Sequence, residues 1–96
     1  MKESQYQAKL IKKLRAMFPD AIILKNDAGY LQGIADLLIL KGKHWAALEC
    51  KRSEDADHRP NQDYYIEKMH NMSFARFIYP ENEREVLYEL QQALRS

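Results

Sequence analysis

Two acids and a lysine stand in sequence that otherwise reads as apolar β-strand. They are Asp36, in Gly33-Ile-Ala-Asp-Leu-Leu-Ile-Leu40, and Glu49 and Lys51, in His44-Trp-Ala-Ala-Leu-Glu-Cys-Lys51. A charge inside a strand costs free energy unless it is paired, solvated or metal-bound. The short Lys41-Gly42-Lys43 turn between the two runs decides how these groups meet. Gly42 at the first central position of a two-residue loop favours a type II′ turn. Lys41 then pairs with His44, Leu38 with Ala47, and Asp36 with Glu49. Directly opposed residues have Cβ atoms roughly 4.5–5.5 Å apart. Glu49 and Lys51 are two apart and share a face. A three-residue loop would set Asp36 against Leu48 and scatter the group.

Two facing carboxylates repel unless something lies between them. A divalent cation meets that need. Oxygen ligands suit Mg²⁺, with Mn²⁺ as a substitute, and leave coordination positions for water and phosphate. The Cys50 side chain points to the opposite face, but its backbone carbonyl can serve as a third oxygen. Lys51 beside such a cation can hold and polarise a water. The set suits attack on a phosphodiester. The plainer reading makes Asp36 a solvated strand end and Glu49–Lys51 an ordinary surface pair.

The elements that must position these residues follow from pattern. Ser4-x-x-Gln7 can form a capping box, with Leu10, Ile11, Leu14, Met17 and Phe18 at helical spacing after it. This predicts a helix over 4–17, closed by Pro19-Asp20. A strand follows over 21–25, then a turn-rich loop over 26–32. Gly33 marks a place where backbone can approach a ligand closely. Strands over 34–40 and 44–51 form the charged hairpin. Residues 53–59 read as a charged, irregular, mobile loop. Pro60 suits the first position of a helix over 60–71. A strand over 74–79 and a helix begun by an Asn82-x-x-Glu85 box complete the chain. The order αβββαβα implies a mixed α/β fold, a small mixed sheet flanked by helices.

Composition sets the frame. The 96 residues suit a single domain over 1–96, 46% hydrophobic and 30% charged, hence globular. A core this small is marginal alone, so a homodimer is expected. No apolar run is long enough to span a membrane, and the N-terminus lacks a signal-peptide stretch. The lone Cys50 cannot form an internal disulfide, which fits a reducing cytoplasm. Net charge is only +1, so any nucleic-acid-binding surface must be local.

Gly33-Ile-Ala-Asp36, followed across a hairpin by Leu48-Glu49-Cys50-Lys51, resembles the core of the PD-(D/E)XK nucleases. Lys25 before a glycine-bearing loop, Gln62 in the next helix and Glu3 in the first sharpen the likeness. The whole is similar to the virus-type replication-repair nuclease branch (VRR-NUC), in its compact stand-alone phage form. The resemblance implies Asp36 and Glu49 as metal-binding carboxylates, with the Cys50 main-chain carbonyl beside them. It implies Lys51 as catalytic lysine, with Gln62 and Glu3 approaching the site from their helices. It also implies a Mg²⁺-dependent homodimer, in a bacterial host's cytoplasm if phage-encoded, that resolves four-way (Holliday) DNA junctions. Related domains cut flapped DNA. Ala35 departs from the family, which has proline there.

Other residues carry two readings each. Glu3 can act in the site or simply favour the positive helix N-terminus. Gln7 lies one turn further along the same stripe. Gln62 by itself reads as solvated. Lys25, Arg52 and Arg59 are candidate phosphate contacts, or exposed loop and strand-end charges. His44, His58 and His70 lack metal-ligand spacing, so Zn²⁺ is not expected. Tyr64 and Tyr65 can stack on bases, but core or dimer surface fits them better. Besides a junction nuclease, a flap or nicking nuclease and a non-catalytic DNA-binding module remain open.

Overall fold

A computed structural model of the chain describes residues 1–27 and 29–95. Its elements are α1 (Glu3–Met17), β1 (Ile22–Lys25), β2 (Leu37–Lys41), β3 (His44–Cys50), α2 (Gln62–Met72), β4 (Phe74–Ile78) and α3 (Glu83–Ala93). The fold is mixed α/β in the expected order. The strands lie in the order β1-β2-β3-β4. The first three are antiparallel, and β4 returns parallel to β3 after the α2 crossover. A parallel pair needs such a crossover, whereas β2 and β3 need only a tight turn.

Strand alternation divides the side chains between two faces. One face carries Leu37, Ile39, Ala46, Leu48, Cys50, Phe74 and Ile78 against Tyr6, Leu10 and Leu14 of α1 and Val86 and Leu90 of α3. This is the main core, and its helices owe their place to apolar residues at helical spacing. The other face is thinner. Ala47 and Ala75 meet Ile66 of α2, with Leu38, Trp45, Met69 and Phe77 around them. The small alanines let α2 sit close to the sheet. Glu49 and Lys51 share that alternate face with Ala47.

The hairpin has the expected register. Lys41 pairs with His44, Leu40 with Trp45 and Leu38 with Ala47. Gly42 has φ +60° and Lys43 has no positive φ, so only the first central residue is left-handed, as type II′ requires.

Several boundaries differ from expectation for local reasons. Helix α1 starts at Glu3, with Lys2 rather than Ser4 as N-cap, and the Lys2 amide donates to Gln5 Oε1 at 2.9 Å. Helix α2 starts at Gln62 rather than Pro60, because Asn61 holds φ +72°. Asn82 does precede α3, but it makes no side-chain cap. Its amide instead accepts from Tyr79 N–H at 2.8 Å and donates to the Phe77 carbonyl at 3.1 Å. Strand β2 begins at Leu37, which leaves Asp36 just outside it. Segment 53–59 is tied down rather than mobile. His58 stacks on Phe77 at 4.1 Å and its Nδ1 lies 2.7 Å from Asp63 Oδ1.

Gly33 is required by its neighbour in the chain's own fold. Its φ is +92°, and a Cβ there would lie 2.6 Å from Asn61 Cβ. The Gly33 backbone thus abuts the N-terminus of α2. Gly33→Ala should lower stability by about 2 kcal/mol or more, from backbone strain and overlap together. Chemical denaturation measures it. Gly42→Ala serves as the control, since its Cβ meets nothing within 4 Å and only the turn is strained.

Candidate active site

A cavity of about 450 Å³ opens where β2 begins and β3 ends. Glu3, Gly29, Gln32, Gly33, Ile34, Asp36, Glu49, Arg59 and Gln62 line it. Asp36 and Glu49 meet there through their backbones. Asp36 N–H donates to Glu49 Oε1 at 3.1 Å, and Cys50 N–H donates to Asp36 Oδ2 at 2.9 Å. These two bonds continue the β2–β3 pairing beyond its last backbone rung. The Cys50 amide, which a further rung would give to the Ala35 carbonyl, goes instead to the Asp36 carboxylate, and the ladder stops at Leu37.

Each side chain is placed by an element with its own reason. The Asn26 amide donates to the Ala35 carbonyl at 2.7 Å, and Asn26 N–H donates to the Asp36 carbonyl at 2.8 Å. The start of the 26–34 loop is thereby bound to the segment that carries Asp36. Gln62, first residue of α2, turns its side chain back toward the sheet. Its Oε1 accepts from Lys51 Nζ at 2.7 Å and from Arg59 N–H at 2.8 Å. Both partners can only donate, so the amide orientation is determined. Its Nε2 then faces Glu49 and donates to Oε2 at 2.8 Å. Lys51 Nζ donates as well to the Asp57 carbonyl at 3.0 Å.

Burial separates this arrangement from a surface ion pair. Glu49 is 1% exposed, Lys51 3% and Gln62 8%. Among the described residues Lys51 makes no direct ion pair within 4 Å. Gln62 stands between it and Glu49. The solvated reading of Gln62 and the surface-pair reading of Glu49–Lys51 are therefore set aside. Burial pushes the Glu49 carboxyl up from 4.5 to about 8, the Asp36 charge pushes further, and Lys51 opposes both. Burial, then Asp36 and Glu49, also push the Cys50 thiol up. It stays protonated and is no nucleophile.

Of the other expected residues, Glu3 and Arg59 reach the cavity wall. Lys25, at the exposed end of β1 opposite Leu37, and Arg52, also exposed, do not line it. Lys51 is close behind the wall, held by Gln62, and does not front the cavity. The Cys50 amide points toward Asp36, and in a strand the carbonyl of the same residue points the same way. Ile34, from the Gly33-Ile-Ala-Asp36 stretch, lines the cavity too, and so do Gly29 and Gln32, which only the turn-rich composition of their loop marks. The role of Asp57 was invisible, because a backbone carbonyl leaves no trace in residue type. The histidines are structural or peripheral. His70 Nδ1 accepts from Ala75 N–H at 3.2 Å and contacts Arg76. Tyr64 is exposed.

Two carboxylates on one cavity wall are oxygen donors of the kind that a hard divalent cation takes. The described residues gather no group of three or more His, Cys, Asp or Glu side chains as a complete cage. A Mg²⁺-type site needs none, since one or two carboxylates with water and phosphate suffice. Comparison with protein-family models, with curated proteins and with solved structures found no match for this chain.

Glu49 also sets a pH dependence. Its carboxyl titrates higher in the fold than in the unfolded chain, so the fold holds the extra proton. That stability is fully present below about pH 4.5 and is lost as pH rises through about 8. In EDTA, unfolding free energy should fall across this window and level off above it. Glu49→Ala should flatten the decline. Denaturant midpoints measured at a series of pH values report it.

Proposed function

We propose that this chain is a divalent-cation-dependent endodeoxyribonuclease of the PD-(D/E)XK type, akin to the VRR-NUC branch, that hydrolyses phosphodiesters in branched DNA. One observation carries the reading. Asp36 and Glu49 are cross-bonded in one cavity, with a buried lysine joined to Glu49 through a single amide. A structural ion pair needs neither the second acid nor the cavity.

Asp36 and Glu49, with the Cys50 carbonyl, would hold Mg²⁺ or Mn²⁺. That cation supplies Lewis-acid polarisation of the phosphate and a more acidic water. The chain's own groups do the rest. The Asp36 and Cys50 amides fix the carboxylates before substrate arrives. Gln62 fixes Glu49 from the other side and holds the Lys51 amine near it. From behind the wall, without touching substrate, the Lys51 charge offsets at a distance the charge that builds on the phosphorane oxygens during in-line attack. Arg59 on the cavity wall positions a neighbouring phosphate, and Glu3 extends the acidic wall.

The choice of a four-way junction rests on the family resemblance. A two-fold homodimer suits it, because two equivalent cuts need two symmetric sites. No helix among the described residues is long and apolar enough to cross a membrane.

Cleavage of four-way, flapped and linear DNA with Mg²⁺ or EDTA tests the reading. Wild type should cut the junction only with the cation, and Asp36→Asn and Lys51→Ala should each lose about 10²–10³-fold in rate. A preference for flaps would replace the junction by a flap substrate. Wild type as inert as Lys51→Ala on every substrate would end the enzyme reading and leave a DNA-binding module.

A further inference from the structure

A second cavity, of about 360 Å³, adjoins the carboxylate pocket. Asn26, Asp27, Tyr30, Leu31 and Ile34 line it, and Ile34 lines both cavities. We infer that this cavity seats an unstacked nucleobase of the strand held in the carboxylate pocket, with Tyr30 as its stacking platform. The inference rests on the nucleic-acid reading of the neighbouring pocket and names the feature of the substrate that the protein selects.

Tyr30 is 91% exposed, far beyond the other large apolar side chains of the surface, and Leu31 beside it is 40% exposed. Leaving an aromatic face in water forgoes the gain of burying it. Yet the loop holds Tyr30 in place. Tyr30 N–H donates to the Asp27 carbonyl at 3.1 Å, and Gly29 N–H donates to Asp27 Oδ1 at 2.8 Å. Ile34 N–H closes the far side on the Leu31 carbonyl at 3.3 Å. Asn26 ties the loop's start to Ala35 and Asp36. The aromatic wall and the first carboxylate are thus carried by one bonded segment.

The lining decides the occupant. The walls are an aromatic ring and two aliphatic side chains. The polar groups are Asn26 and Asp27, with no cation. A phosphate would be repelled by Asp27. A nucleobase offers a π-face to Tyr30 and amino donors that a carboxylate can accept. Bases in continuous duplex are stacked and out of reach. A branch point, a gap or a bulge presents one that is not. The cavity therefore favours distorted DNA over linear duplex without reading sequence.

The test uses the full chain in an Asp36→Asn background with EDTA, which suppresses cutting and leaves binding measurable. Tyr30→Ala should weaken binding of a branched DNA about tenfold and of linear duplex less than twofold. Tyr30→Phe, which keeps the ring, should bind as the parent does. With 2-aminopurine at the unpaired position, binding by the parent should quench its fluorescence, and Tyr30→Ala should abolish the quench. If Tyr30→Ala, folded by circular dichroism, binds branched DNA as tightly as a firmly binding parent, the base site is wrong and the nuclease reading stands. If the folded parent binds no DNA of any shape, both readings fall together.

Discussion

The last rung of the β2–β3 pairing is made by side chains. Where two strands would exchange backbone hydrogen bonds, Asp36 and Glu49 each accept an amide from the opposite strand. The rest of the site depends on this exchange. It holds two acids on one face at the sheet end, beside a cavity that both of them line. Bringing like charges together at a strand end is unfavourable, and burial makes it more so. The chain offsets part of that cost with the two backbone amides, Gln62 and the nearby lysine. Burial first, and then the Asp36 charge, leave the Glu49 carboxyl raised.

Three separate elements converge to support that rung. Glycine at 33 lets the incoming chain pass against Asn61, so that α2 begins at the sheet end. Asn26 anchors the loop behind Asp36. Segment 53–59 closes over Lys51, whose amine finds the Asp57 carbonyl. A lysine buried this deeply must have its hydrogen bonds met by the protein. Gln62 meets one of them and passes the geometry on to Glu49. Positions of this kind, rigid and held from several sides, are what a preorganised site requires.

The hairpin was legible because its register has a short cause. Gly42 determines the turn type, the turn determines the pairing, and the pairing determines which side chains face each other. The amphipathic patterns of α1 and α3 were legible for a similar reason, since local period and burial agree. Element ends were less legible. Ser4, Pro60 and Asn82 each have the chemistry of a helix start, yet Lys2 and Asn61 took the first two places and Asn82 spent its side chain on β4. Competing partners, not propensities, decided those positions.

The amino-acid order by itself determined that two acids and a lysine share one face at the open end of a hairpin. Only neighbours in the chain and a two-residue turn are involved, so no distant contact was needed. Tertiary structure decided what surrounds them. It placed Gln62 between Lys51 and Glu49, set Lys51 behind the cavity wall, brought Glu3 and Arg59 to that wall, and left Lys25 and Arg52 outside. Those facts depend on how α1, α2 and two loops meet at the sheet end. Such meetings join residues far apart in the chain through backbone groups that residue type does not encode. The acids and the lysine therefore belonged to the sequence, and the environment that gives them chemistry belonged to the fold.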